Sequence, residues 1–344
     1  MAINLVIQFV FVVVVLLNST FIQVYANYDA SLVEKEFNHF IKKYNKPYKE
    51  GDTEYDTRLK IFEWNLEHHS KLNSNRTDNI SAIYGVTKFS DLTPQEFEER
   101  YLSSIKLGND ITEPAALHYP RPWLFTTELS LKDIPLKVDW RKKGVVTPVK
   151  NQHACGGCWA FSVVETVETM SAINTGDLRE LSIQEVIDCS YGFSSLSGCE
   201  GGDTCSALLW MLKSKTPLVT AQLYPLTDHQ ETCKILSNET RGVRVKNFTC
   251  QSLVKDEVYL MKLLASYGPV AVSVDATNWS NYQGGIIQYH CGDRGNNHAV
   301  QIVGYDRTGP VPYYIVKNSW GTDFGLDGYV YVRAGDNMCG EFSF

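Results

Sequence analysis

The most informative segment of this 344-residue chain is QHACGGCW at residues 152–159. It is followed far downstream by NHA at residues 297–299 and then by NSWG at residues 318–321. A thiol, an imidazole and an amide in this order, about 140 and about 20 residues apart, are the parts of a cysteine nucleophile, its base and the group that orients the base. The spacing therefore predicts nucleophilic cysteine chemistry.

The nucleophilic thiol is predicted to stand at the start of a helix. Apolar residues recur at three- and four-residue steps from Cys158 to Asn174, and Gly176 stops the pattern. The positive end of a helix favours a thiolate over a thiol. Later segments are rich in β-forming residues and are bounded by Gly or Pro, namely residues 270–274, 300–305, 313–317 and 329–332. We therefore predict an α+β fold, with a helical half that carries the thiol, a sheet half that carries the imidazole and a cleft between them.

The composition is that of a globular protein with an acidic balance. The chain is 44% hydrophobic, its formal net charge is -7 and its isoelectric point is about 5.7. Lys and Arg are scattered singly and in pairs, so no basic run offers a surface for a polyanion. We expect no nucleic-acid partner.

The amino terminus has the features of a signal peptide. An apolar run covers residues 3–17, and Val24-Tyr25-Ala26 supplies small or apolar residues before a cut after Ala26. A membrane anchor is the alternative, but a run of about 15 residues is shorter than the roughly 20 needed to span a bilayer. We therefore expect secretory targeting, to the lysosome or outside the cell, and no membrane span.

The Cys155-x-x-Cys158 pair has two other interpretations, as a redox pair or as half of a zinc site. Redox chemistry gives no role to Gln152 or Asn318. Zinc would need a second Cys/His pair at short spacing, which the sequence does not contain. We therefore expect neither a metal nor a cofactor.

The organisation of the chain changes near residue 134. The preceding part has no cysteine and contains a predicted amphipathic helix marked by Glu54, Arg58, Phe62, Asn65 and Asn73. Residues 108–133 contain three prolines and few periodic apolar residues, which is typical of an exposed connector open to proteolysis. The predicted organisation is a signal peptide at 1–26, a prosegment at 27–133 and a catalytic domain at 134–344.

Several motifs in order make the chain similar to papain-family cysteine protease precursors of the cathepsin type. They are DWR at 139–141, QHACGGCW at 152–159, GCEGG at 198–202, NHAV at 297–300 and NSWG at 318–321. The prosegment resembles the propeptides of the family through the helical residues above and through the string from Gly85 to Asp91. Three more stretches narrow the likeness to one type of cathepsin, namely IDCSY at 187–191, GGIIQYHC at 284–291 and YDRTG at 305–309. His69 stands where the family usually has isoleucine.

The resemblance implies a role for each residue of the site. Cys158 is expected to be the nucleophile, His298 the base, and Asn318 the group that orients the imidazole. Gln152 is expected to stabilise the oxyanion together with the backbone N–H of Cys158. Trp320 is expected to shield the bond between His298 and Asn318 from water.

The resemblance also implies a set of substrate-binding residues. Gly201 and Gly202 are expected to let the substrate backbone approach closely, with a plain turn as the alternative. The other members of the predicted substrate-binding set are Thr204, Ser273, Asn296, Ala299, Trp320 and Phe344.

Nine cysteines leave at least one thiol unpaired within the chain. The resemblance implies the disulfides Cys155–Cys199, Cys189–Cys233 and Cys291–Cys339. Cys205 falls in the helical half and Cys250 in the sheet half, so both are expected to be free and partly buried.

The resemblance implies an α+β, papain-like, two-lobed zymogen with a helical left lobe and a β-barrel-like right lobe. The helical prosegment is expected to block the cleft in cis and to be weakened by acid through carboxylates such as Glu54 and Asp91. The mature protein is expected to be a monomeric endopeptidase that acts on proteins and peptides and binds cystatin-type inhibitors. The alternative is a catalytically silent papain-fold binding or matrix protein, against which the intact set of site residues argues.

Overall fold

A computed structural model describes residues 29–74, 76, 78–103, 131–214, 217–234, 242–250, 253, 256–292 and 295–340. The predicted signal peptide, most of the predicted connector and Phe344 lie outside these residues. The chain divides into two compact units between Leu59 and Lys60.

The first unit is built on an aromatic core. Helix α1 (Ala30–Lys43) begins after Asp29, whose carboxylate accepts a hydrogen bond from the backbone of the first turn. Phe37 is fully buried and contacts three more aromatic rings, those of Phe40, Tyr48 and Tyr55. These contacts hold α1 against the start of the next helix within this unit.

The described residues contain seven α-helices. They are α1, α2 (Thr53–Ser74), α3 (Pro94–Tyr101), α4 (Cys158–Thr175), α5 (Ile183–Cys189), α6 (Thr204–Ser214) and α7 (Glu257–Ser266). Gly176 ends α4 in the left-handed region at φ 76°, which confirms the helix predicted from the apolar pattern. Within the described residues, no helix is at once long enough and apolar enough to cross a bilayer.

In the part of the chain that the structure describes, eight strands form two sheets. They are β1 (Ile83–Tyr84), β2 (Lys137–Asp139), β3 (Val270–Val274), β4 (Tyr282–Gly284), β5 (Ile286–Ile287), β6 (His298–Asp306), β7 (Tyr313–Lys317) and β8 (Tyr329–Arg333). The larger sheet has the order β2-β6-β7-β8-β5, and β3 also pairs with β6. The β5–β8 pairing is parallel and the others are antiparallel. The predicted α+β class and the sheet-rich second half are confirmed.

Two hydrophobic clusters form the cores of the second unit. One surrounds Trp159 and Phe161 of α4 and includes side chains of α5 and α6. The other surrounds Tyr305 and Tyr314 of the sheet. Ala299 of β6 belongs to the cluster around Trp159 and Phe161, called the helical cluster below, so α4 packs directly on the sheet. This contact joins the two predicted lobes.

The prosegment residues of the second unit are held by the polar positions of α2. The Asn65 amide donates to the carbonyl oxygens of Ser90 and Leu92 at 3.0 Å and 3.1 Å. The Asn73 side chain donates to the Tyr84 carbonyl and accepts from its N–H. These asparagines therefore fix the extended stretch that follows α2, and β1 in that stretch pairs with β4 of the catalytic domain.

Candidate active site

The thiol of Cys158 stands at the first residue of α4 and is fully buried. The loop before it is anchored because the Gly156 N–H donates to the Cys199 carbonyl oxygen at 2.8 Å. A Cβ on Gly156 would lie 2.6 Å from that oxygen, so this close approach requires glycine. Cys155 forms a disulfide with Cys199 and is therefore no redox partner of Cys158.

The imidazole and the amide are brought together by two neighbouring strands. His298 begins β6 and Asn318 directly follows β7, and these strands pair antiparallel. His298 Nε2 lies 2.7 Å from Asn318 Oδ1, so the Nε2–H donates to the amide oxygen. Both side chains are buried. This bond fixes the orientation of the imidazole ring through Nε2, and Nδ1 is the ring nitrogen that takes no part in it.

Trp320 covers the bond between the imidazole and the amide. Its ring stacks on His298 with the ring centroids 4.8 Å apart, and it is fully buried. Phe324 packs edge-on against the same indole at 4.8 Å. The indole therefore covers one face of the imidazole.

Gln152 lies in a dense set of hydrogen bonds. Its Oε1 accepts from the Ser319 hydroxyl at 2.5 Å, and its backbone N–H donates to the Ser319 carbonyl. Its Nε2 donates to the carbonyl oxygens of Cys155 and Tyr101, at 2.8 Å and 3.1 Å. Ser319 therefore orients the amide, a contact that the motifs did not predict.

The end of α3 covers the site. The Tyr101 carbonyl accepts from Gln152, and the Ser103 N–H donates to the carbonyl oxygen of Asn297 at 2.8 Å. Leu102 between them is buried. The motifs do not point to these three residues, because the polar contacts are made by backbone atoms that any side chain would offer.

Burial favours the neutral forms of the Cys158 thiol and the His298 imidazole in this covered state. It raises the pKa of the Cys158 thiol to about 11, against hydrogen bonds from backbone groups of Ala299 and Ser103 among others. It lowers the pKa of His298 to about 4, against the hydrogen bond with Asn318. Within the described residues, His298 Nδ1 has no hydrogen-bond partner. In the covered precursor, burial therefore favours a thiol and a neutral imidazole over an ion pair.

The predicted substrate-binding residues lie on both lobes. Ser273 of β3 and Ala299 of β6 are directly opposite partners in the sheet. Thr204 is buried at the first residue of α6. Asn296 lies two residues before His298 and is half-buried. Phe344 lies outside the described part of the chain.

Gly202 is fixed by packing inside the helical lobe. A Cβ there would lie 2.6 Å from the indole of Trp159 and 3.0 Å from the side chain of Leu196. Gly201 has φ 133°, a conformation that side chains other than hydrogen rarely allow. Both glycines are therefore required by the folded chain itself.

The structure contains four disulfides. Three are the bridges that the resemblance implies, Cys155–Cys199, Cys189–Cys233 and Cys291–Cys339. The fourth joins Cys205 and Cys250, so the expectation that both are free thiols was wrong. The segment before Cys250 lies on the helical lobe, because Val243 pairs with Leu218 and packs in the helical cluster. Cys158 is the free cysteine.

The described residues contain no group of three or more His, Cys, Asp or Glu side chains that could hold a metal ion.

Residues 134–343 match the papain family of cysteine proteases, and residues 37–97 match the cathepsin propeptide inhibitor domain (I29). The chain therefore belongs to the papain family and is a cysteine protease zymogen that carries its own inhibitory propeptide.

The particular likeness is to cathepsin O, the type that the three additional stretches indicate. The chain is 43% identical to cathepsin O of Homo sapiens over 280 residues, which are 81% of this chain and 84% of that protein. It is 33% identical to cysteine proteinase 1 of Dictyostelium discoideum, over 90% and 91% of the two chains. These relatives confirm the prediction of a papain-like cysteine endopeptidase.

Solved precursor structures share the fold. Procathepsin L2 from Tenebrio molitor larval midgut is 31% identical, with a TM-score of 0.77 over 90% of this chain and 98% of that one. The recombinant stem bromelain precursor is 29% identical, with a TM-score of 0.76 over the same shares. The papain-like architecture with an amino-terminal propeptide is therefore confirmed.

Proposed function

We propose that Cys158, His298 and Asn318 perform the peptide hydrolysis of this enzyme. The Cys158 sulfur attacks the peptide carbonyl carbon, and His298, which has taken the thiol proton, gives it to the leaving amine. Water then hydrolyses the thioester. The observation that carries the proposal is the 2.7 Å bond between His298 and Asn318, held between strands beside the helix that begins at Cys158.

The oxyanion of each tetrahedral intermediate is assigned to Gln152 and the backbone N–H of Cys158. The support is that Gln152 Nε2 already donates to a carbonyl oxygen, that of Tyr101 in the prosegment. A donor held in place before the reaction stabilises developing charge without reorganisation, and losing one typically costs on the order of 10²–10³ in rate.

Substrate binding is assigned to both lobes. An extended peptide is proposed to lie along Gly201 and Gly202, with its side chains near the remaining members of the set. These are Thr204, Ser273, Asn296, Ala299 and Trp320.

The zymogen is proposed to consist of a signal peptide at 1–26, a prosegment at 27–133 and a peptidase domain at 134–344. Maturation is placed near Ile134 or Leu136, and the 58% exposure of Leu136 suits attack there. The mature enzyme is proposed to work in the lysosome or outside the cell, as a monomer that cystatin-type inhibitors bind.

Labelling of the active-site thiol tests this function. The precursor is treated with an epoxide or vinyl-sulfone thiol reagent before and after acid activation, and peptide cleavage is followed in parallel. We expect labelling and cleavage only after activation, and neither in the Cys158→Ser variant. Activated protein that is neither labelled nor cleaves any peptide would be a silent papain-fold binding protein, and the proposed function would be wrong.

A further inference from the structure

A buried histidine joins the prosegment to the catalytic domain. His69 lies on α2 and is 5% exposed, at the position where the resemblance expects isoleucine. Its Nε2 lies 2.8 Å from Oδ1 of Asn281, so the neutral imidazole donates its N–H to the amide oxygen. An isoleucine would offer Asn281 no such partner. His69 therefore makes a polar, titratable contact at a position where the family usually has an apolar side chain.

The partner of His69 lies in a turn that holds the prosegment at several points. Asn281 ends the short helical turn Trp279–Asn281, and its carbonyl oxygen accepts from the Gly85 N–H at 2.9 Å. The carbonyl oxygen of Ser280 accepts from the Thr87 hydroxyl at 2.5 Å. A weaker contact at His69 therefore affects the same turn that binds the string from Gly85 to Asp91.

The same turn reaches the proposed active site. Trp279 is fully buried, and its ring lies edge-on to His298 with the centroids 6.3 Å apart. It also contacts the Trp320 indole. Trp279 therefore connects the turn that binds the prosegment to the imidazole of His298.

We propose that His69 is an acid-sensing contact, and that a second proton on its imidazole loosens the prosegment from the turn Trp279–Asn281 and uncovers Cys158. This proposal rests on the proposed function above.

The surroundings of His69 oppose a positive charge. The neutral ring already satisfies Asn281, so a second proton adds charge to a buried group without adding an anionic partner there. The charged neighbour that acts on His69 is His68, which is itself influenced by Lys71 and His290. His290 packs edge-on against the buried Tyr84 of β1. The titratable side chain that acts on His69 is therefore itself basic.

The sign of the effect follows from the direction of the pKa shift. Burial lowers the pKa of His69 from 6.5 to about 4, against the hydrogen bond with Asn281. The contact therefore contributes fully above about pH 6.5 and loses its contribution as the pH falls towards about 4. Each pH unit inside this window weakens the covered state by up to about tenfold, and the whole window by on the order of 10²-fold.

The test uses the full-length precursor. The labelling rate of Cys158 is measured from about pH 7 to about pH 4 and divided by the rate of acid-processed enzyme at the same pH, which removes the pH response of the thiol itself. The variant His69→Gln keeps an N–H for Asn281 but cannot titrate. His69→Ile, the residue usual in the family, is a second non-titrating variant, and His68→Gln is the matched control on the same helix.

As the pH falls from about 7 to about 4, we expect the ratio of the precursor's labelling rate to that of the processed enzyme to rise on the order of 10²-fold in the wild type and in His68→Gln. In His69→Gln and His69→Ile the same ratio should rise less than about threefold. If the ratio rose equally in the wild type and in His69→Gln, the proposal would be wrong. The acid response would then be attributed to carboxylates such as Asp91. Acid-processed wild-type enzyme that is not labelled at any pH would instead sink the proposed function.

Discussion

At the scale of single residues, Gly202 is a site where the packing of the fold and the proposed binding of substrate meet. The fully buried indole of Trp159 lies where a Cβ would be, and the Trp159 N–H donates to the Gly198 carbonyl at 3.1 Å, so the ring has little freedom to move. We expect Gly202→Ala to lower the free energy of unfolding by about 1–3 kcal/mol through overpacking. Urea unfolding of the precursor measures the change.

Gly309→Ala is the control for this substitution. Gly309 has no neighbour within 4 Å of an added Cβ and does not have a positive φ. Its variant should unfold at the same urea concentration as the wild type. If the Gly202 variant did so too, the packing explanation for this glycine would be wrong.

The residues of the site differ in how far sequence could predict them. Cys158, His298 and Asn318 can be proposed from motif and spacing, because their proposed roles depend on side-chain chemistry. Tyr101 and Ser103 act through a carbonyl and an N–H, which every residue carries. Only the path of the folded backbone shows that they cover the thiol.

At the scale of elements, α4 and β7 are joined by buried charges. Lys317 at the end of β7 is fully buried and contacts Glu165 of α4 at 3.0 Å. Lys150 contacts Glu168 of the same helix, also at 3.0 Å. The Thr147 hydroxyl accepts from Lys150 and from Lys317. The helix that begins at Cys158 and the strand that precedes Asn318 are therefore tied by one network.

We expect Lys317→Met to lower the free energy of unfolding by about 3–5 kcal/mol, because it leaves the buried carboxylate of Glu165 without its nearest cation. Adding Glu165→Gln should recover part of that loss, since the uncompensated charge is removed with it. Urea unfolding of the two single variants and the double variant gives the coupling between the residues.

The exposed pair of Arg333 and Asp336 supplies the comparison for this cycle. Their side chains are 33% and 77% exposed, so Arg333→Ala should change stability little. A Lys317→Met variant as stable as Arg333→Ala would contradict the view that this network ties α4 to β7.

The elements themselves follow closely from the sequence patterns. The apolar period and Gly176 predicted α4 to within a residue of its end, and β3 and β7 have their predicted bounds. The position of Cys250 was wrongly assigned because the segment before it has no strong period. Its place on the helical lobe is set by long-range contacts of Val243 and Val245 with the helical cluster, which a local pattern does not contain.

At the scale of the whole molecule, the prosegment changes the chemistry of the site as well as its access. Cys158 and His298 have no exposed surface in the precursor. Burial raises the pKa of the thiol to about 11 and lowers that of the imidazole to about 4, so both groups are uncharged between these values. Release of the prosegment returns water to the cleft and removes much of the desolvation that opposes a thiolate and an imidazolium. We therefore expect suppressed ionisation, as well as blocked entry, to keep the precursor inactive.

Alkylation by iodoacetamide distinguishes these two causes of latency, because the reagent is small and reacts with the thiolate. Cys158 is the one free thiol, the other eight cysteines being in disulfides, so the reagent reports on a single site. We expect the precursor to react slowly at about pH 7 and to speed up as the pH rises towards 11, whereas the processed enzyme should react rapidly and almost independently of pH from about 6 to about 8. Cys158→Ser, which should take up no reagent in either form, is the control. Precursor that is alkylated at neutral pH as fast as processed enzyme would show that the covered thiol is already ionised, and the prosegment would then act by obstruction alone.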